Sequence, residues 1–112
     1  MPFELKSRRE GDVVVLLPAG RITLGEGSSA LREALRDLVG KGQKKILLNL
    51  GDVTYIDSSG LAVFLEGMQG IEAYGGKLYL VAINHSLRTI FETSKLDEVF
   101  RIVDSVDAAE AS

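Results

Sequence analysis

The side chains able to do chemistry in this sequence are few, and they gather in one place. Asp57-Ser58-Ser59-Gly60 sets a carboxylate beside two hydroxyls, directly after Asp52-Val53-Thr54-Tyr55-Ile56. Elsewhere there is one histidine, His85, and no cysteine. That inventory excludes a thiolate nucleophile, a disulfide framework, a cysteine-ligated zinc or iron–sulfur site and a multi-histidine metal centre. Lys41, Lys44 and Lys77 lack the spacing of a phosphate-binding G-x-x-x-x-G-K-[ST] loop. Ile56 and Asp57 stand where a G-x-S-x-G elbow around Ser58 or Ser59 needs its first glycine. Glu33 and Asp37, four residues apart, read as a solvated helix face rather than an acid–base pair. His85 reads as a turn residue or the start of a helix.

Gly25-Glu26-Gly27-Ser28-Ser29-Ala30 fits the dinucleotide pattern G-x-G-x-x-G/A in form. That loop needs its first glycine at a strand end, whereas seven residues separate Leu17 from Gly25. No second mononucleotide half follows. The stretch is therefore read as a glycine-rich helix entrance.

The Asp57 segment joins the carboxyl end of a buried strand to the amino end of a helix. Such a helix end carries free N–H groups and partial positive charge. In the plain structural reading Asp57 or Ser58 caps the helix and the remaining hydroxyls are ordinary first-turn residues. In the functional reading a hydroxyl is presented for phosphorylation, which adds about −1.5 to −2 charges. The helix N–H groups would tolerate that charge, while Asp57 and an acidic or close-fitting partner would not. The fold should survive and the interface should change.

The elements that must position this segment follow from the hydrophobic pattern. With 112 residues, 46% hydrophobic and 26% charged, the chain has the size and balance of one globular domain, read as residues 1–112. Its formal charge of −3 offers no basic field for nucleic acid or anionic lipid. The longest apolar run, Val13 to Ala19, is too short for a membrane span, and Arg8-Arg9-Glu10 does not suit a signal peptide. A cytoplasmic protein is expected.

Phe3 to Ser7 alternates like an edge strand, Glu10-Gly11-Asp12 is a turn, and Val13 to Leu17 a buried strand that Pro18 interrupts. Thr23-Leu24-Gly25-Glu26 has capping-box spacing before a helix carrying Leu31, Leu35 and Leu38, which Gly40 and Gly42 end. Ile46 to Leu50 is a buried strand. A second helix follows Asp57, with Leu61, Phe64, Leu65, Met68 and Ile71 as its apolar stripe. On another face Val63, Gly67 and Gly70 leave low relief, suited to close packing on a neighbouring element or to a partner helix. Lys77 to Ile83 is a third strand, Ser86 to Ser94 a short helix, Val99 to Val103 a last strand, and Ser105 caps a final helix. This order predicts an α/β fold: a small, mostly parallel sheet with an antiparallel edge strand and helices packed against it.

At Tyr55-Ile56-Asp57-Ser58-Ser59-Gly60-Leu61 the chain resembles the STAS domain family, and in particular the bacterial anti-sigma factor antagonists. Ile46-Leu47-Leu48-Asn49-Leu50, Gly75-Gly76-Lys77-Leu78 and Phe91-Glu92-Thr93-Ser94-Lys95-Leu96 extend the likeness over nearly the whole chain. The resemblance implies a two-state partner switch. The unphosphorylated antagonist binds an anti-sigma factor of the serine-kinase type and a sigma factor is freed. Phosphorylation at Ser58 reverses this, and a PP2C-type phosphatase resets it. Carried over by position, Ser58 is the phosphoacceptor, Asp57 its acidic capping neighbour, Ser59 a helix-start neighbour, and Gly60 allows close approach of the partner. The chain would be a substrate and a ligand rather than an enzyme, with no cofactor, as a monomer or weak dimer.

Two positions depart from the family pattern. Gly20-Arg21-Ile22-Thr23 replaces Gly-Glu-(Leu/Ile)-Asp on a loop beside the switch, so Arg21 and Thr23 are expected to bear on partner choice. Lys95 replaces a frequent glycine, so a left-handed turn there would be strained or a different turn used. Two other readings are a scaffold or relay STAS protein in a larger signalling complex, without direct sigma-factor release, and a small-ligand module at Gly25–Ala30.

Overall fold

Strands that are apolar on both faces demand cover from both sides, and the chain supplies it. The computed structural model describes residues 2–111. In order along the chain are β1 (Glu4–Glu10), β2 (Val13–Ile22), α1 (Glu26–Gly40), β3 (Lys45–Asn49), β4 (Asp52–Ile56), α2 (Ser58–Glu72), β5 (Lys77–Val81), α3 (His85–Thr93), β6 (Arg101–Ile102) and α4 (Val106–Ala111). The sheet has six strands ordered β1-β2-β3-β5-β6, with β4 also paired to β2. β1 runs antiparallel to β2, and the other pairings are parallel.

Side-chain alternation divides the core in two. Leu16, Ile46, Leu48, Leu78 and Leu80 pack with Leu31 and Leu35 of α1, Val63, Phe64 and Ile71 of α2, and Leu87 and Phe91 of α3. The intervening residues Val13, Val15, Leu47, Tyr79 and Val81 meet Ala109 of α4. This is why the central strands read as continuous apolar runs. Phe64, Phe91 and Phe100 form a ring cluster with centroids 5.8–6.2 Å apart, the two pairs involving Phe100 edge to face.

The expected α/β fold with an antiparallel edge strand is the fold observed, with differences in detail. β2 does not stop at Leu17. Val13–Leu16 pairs with β3 and Ala19–Ile22 with β4, while Pro18 lies opposite Leu5 of β1. The residue that cannot donate an N–H thus sits where β2 changes parallel neighbour. β4 is a strand where the sequence reading had only a connection, and a register shift at Gly20/Arg21 fits it to β2. β5 ends at Val81, where Ala82 turns the chain out with φ 63°, and β6 starts only at Arg101, because the N–H groups of Val99 and Phe100 are bonded to Leu96 O in a turn. Lys95 does adopt the left-handed turn, with φ 59°.

The α2 stripe is rotated relative to the expected one. Gly60, Val63, Phe64, Gly67 and Ile71 are buried, while Leu61, Leu65 and Met68 are half-buried. The low-relief face turns inward because α1 packs on it: a Cβ at Gly67 would lie 2.7 Å from Leu35 Cδ1. Arg32 bridges the two helices through a bidentate pair with Glu66.

Candidate functional site

Ser58 stands at the first position of α2, where β4 ends beside the end of β2. Asp57 N donates to Ile22 O at 3.2 Å, so the strand ends fix where the helix begins. Asp57 is the N-cap, with extended φ/ψ, and its Oδ1 accepts from Gly60 N at 3.0 Å. The same oxygen accepts from Ser59 Oγ at 2.6 Å. The other oxygen, Oδ2, accepts from Leu24 N at 3.0 Å, reaching the loop between β2 and α1.

These donors favour the charged carboxylate. The Ser59 hydroxyl, ahead of the opposing desolvation and the backbone N–H groups of Gly60, Leu24 and Ser59, holds Asp57 below its ordinary carboxyl range. The two serines therefore differ: Ser59 is half-buried and engaged, whereas Ser58 is exposed. Among the described residues the Ser58 hydroxyl has no hydrogen-bond partner.

Gly60 is buried, and the close approach it permits is to the chain's own strands. A Cβ there would lie 2.7 Å from Ile22 O and from Ile56 Cγ2. That packing accounts for the burial of Gly60. Arg21 is on the site's rim, its guanidinium carbon 4.7 Å from the centroid of the exposed Tyr55 ring.

Thr23 does not cap α1, and the capping box is not formed. The N-cap is Gly25, with φ 107° and no side-chain cap. Backbone carbonyls of Thr23 and Gly25 accept the N–H groups of Ser28 and Ser29. The Leu24 N–H is instead bonded to Asp57, and the helix starts after Gly25, the residue type that adopts this φ readily.

The spacing argument against the Gly25–Ala30 dinucleotide pattern also falls, since β2 runs to Ile22 and Gly25 comes three positions later. Packing explains its glycine instead. A Cβ on Gly27 would lie 2.7 Å from Arg21 O, so α1 crosses its own strand only with glycine here.

Beside Ser58 is a shallow depression lined by Tyr55, Leu61, Ile90 and Thr93. Leu24, on the Asp57-linked loop, is 83% exposed. The sequence places Tyr55 and Leu61 in the signature segment but assigns no site role to Leu24, Ile90 or Thr93. A leucine set between Thr23 and Gly25 in a polar loop was the one available signal. His85 begins α3 as expected, and Glu33 and Asp37 are exposed, with Asp37 paired to Lys41. Among the described residues no histidine, aspartate or glutamate cluster could hold a metal.

The STAS domain family model matches residues 4–109. This chain belongs to the STAS domain family. Its relatives include a Thermotoga neapolitana protein named as an anti-sigma factor antagonist homologue, 30% identical over 88% of this STAS chain and 87% of the relative. The crystal structure of a Thermotoga maritima protein, named as an anti-sigma factor antagonist, superposes with a TM-score of 0.86. It is 29% identical and covers 96% of this chain and 92% of its own. The fold is also that of the anti-sigma factor antagonist SpoIIAA in its unphosphorylated form, with a TM-score of 0.72, 20% identity and coverage of 98% and 94%. The phosphorylated form of the Bacillus protein matches with TM-score 0.72, 22% identity and coverage of 98% of both chains. No helix of this STAS domain, among the described residues, is long and apolar enough to cross a membrane.

Proposed function

We propose that residues 1–112 form one STAS domain acting as an anti-sigma factor antagonist whose binding is controlled by phosphorylation of Ser58. The unphosphorylated chain binds an anti-sigma factor of the serine-kinase type, which frees a sigma factor. The phosphorylated chain lets go, and a PP2C-type phosphatase restores it. The protein works in the cytoplasm, as a monomer or weak dimer, and performs no catalysis itself.

The observation that carries this reading is the contrast between the paired serines. Asp57 occupies Ser59, while Ser58 is exposed at a helix N-terminus with no hydrogen-bond partner among the described residues. A phosphate on Ser58 would meet the N–H groups of the first turn without unfolding the helix. It would also place about two negative charges beside the apolar depression that a partner would cover, and burying such a charge unpaired is unfavourable. Arg21 and Thr23 flank the same surface, together with Asp57 and Ser59, and tune which partner fits. That Bacillus SpoIIAA has been solved in both phosphorylation states agrees with a modification the fold withstands.

Affinity capture from lysate with wild type, Ser58→Ala and Ser58→Asp as parallel baits tests the reading. A histidine-kinase-like ATPase held by the first two and lost from the third is expected. With ATP, the purified partner should then label wild type and not Ser58→Ala. Labelling that survives Ser58→Ala and disappears in Ser59→Ala would overturn the assignment. The same large assembly on all three baits would make Ser58 incidental.

A further inference from the structure

Asp57 serves two elements at once. One carboxylate oxygen caps α2 through Gly60 N, while the other holds Leu24 N, thirty-three residues earlier in the chain. We propose that Asp57 is a positioning residue coupling the state of Ser58 to the Thr23–Gly25 loop, so that a phosphate on Ser58 loosens the Leu24 N–H bond and shifts the exposed Leu24 side chain. The inference rests on the phosphorylation reading above and adds a second route by which the modification alters the binding surface.

The loop makes no side-chain cap to α1, and Gly25 at φ 107° is a natural hinge. Its other ties are the backbone bonds Ser28 N to Thr23 O and Ser29 N to Gly25 O, which flank Leu24 without holding its N–H. A hydrogen bond to a charged acceptor is among the stronger kinds, so this carboxylate is a principal tether. A phosphate attached one residue away competes with the carboxylate for the same positive helix end and repels it. Among the described residues Leu24 is the most exposed of the large hydrophobic side chains, at 83%. A shift of its loop therefore changes the apolar area offered to a partner.

The test uses the whole free chain, with neither kinase nor partner. Phosphoserine is incorporated at position 58 during synthesis, and amide shifts and hydrogen exchange are read by NMR for wild type, phosphoserine-58 and Asp57→Asn. Asparagine still accepts from Gly60 N through its oxygen, but its amide nitrogen cannot accept from Leu24. Expected in both altered forms is an upfield shift of the Leu24 amide proton, with exchange faster by about tenfold. In Asp57→Asn the Gly60 amide should stay protected, which separates the tether from general loss of the helix cap. A Leu24 amide that moves in Asp57→Asn but not with phosphoserine would overturn the coupling while leaving the Ser58 switch intact. An amide that moves with phosphoserine but not in Asp57→Asn, or in neither form, would overturn Asp57 as its carrier. Failure of the switch itself would show separately, as unchanged partner binding by the phosphoserine-58 chain.

Discussion

Two glycines of α2 should respond to the same substitution with opposite signs. At Gly60 an added Cβ meets Ile22 O and Ile56 Cγ2 at 2.7 Å and Ile22 Cγ2 at 2.9 Å. One of these is a backbone oxygen that also accepts the Asp57 N–H, so it cannot yield without loosening the junction of β2 and α2. Overpacking of this kind destabilises by about 1–3 kcal/mol. Weakening the Asp57 bond adds about 0.5–1.5 kcal/mol, and the better helix propensity of alanine offsets roughly 0.5–1 kcal/mol. Gly60→Ala should therefore destabilise by about 0.5–4 kcal/mol net. At Gly70 the nearest atom to an added Cβ is Val39 Cγ2 at 4.0 Å, an ordinary contact. Gly70→Ala should gain roughly 0.5–1 kcal/mol from propensity alone. Thermal melts followed by circular dichroism separate the two, at roughly 4 °C per kcal/mol for a domain of this size. If Gly60→Ala melts at or above wild type, the packing argument fails and its glycine is required by something outside this chain.

Three further outcomes are expected. Phe64→Ala, at the centre of the three-ring cluster, should lower stability by about 3–5 kcal/mol in urea titration, whereas Leu65→Ala, half-buried, should lose only about 1–2 kcal/mol. Equal losses would contradict the observed rotation of α2. Ser58→Asp should keep the far-ultraviolet circular dichroism spectrum of wild type, and its loss would make that position structural. Asp57 is held below its ordinary value of 3.8, so its contribution to stability is present above that pH and is lost as pH falls through the lowered value. The melting-temperature gap between wild type and Asp57→Asn should thus be constant from about pH 7 to pH 5 and narrow below about pH 4. A gap that stays constant on acidification would mean that the Asp57 charge does not stabilise the fold.

Much of the architecture was legible because periodicity reports burial directly. Ile46–Leu50 and Lys77–Val81 are covered on both faces and so read as unbroken apolar runs. Asp57 as a cap and Ser105 as a cap were legible too, since a capping side chain bonds within three residues of itself. β4 was not, because Asp52–Ile56 becomes a strand only by pairing with the far half of β2, beyond a proline that locally argues for an end. The α2 stripe was legible at Phe64 and Ile71, with Leu61, Leu65 and Met68 packed at its margin, but its centre was displaced because Gly60 and Gly67 carry no hydrophobicity, yet they mark where Ile22 and Leu35 press against the helix.

At the candidate site, sequence determined the residue types: an aspartate, two hydroxyls and a glycine at the start of a helix, in a pattern that resembles the STAS signature. Local bonding along one segment was enough for that. Ser59 is engaged by Asp57 two residues away, a local bond, whereas tertiary structure brought the Leu24 loop to Asp57. It also turned Gly60 toward the chain's own strands and left Thr23 without a capping role. The Leu24 bond and the packing of Gly60 on Ile22 join residues more than thirty positions apart, which meet when β2 and β4 lie side by side.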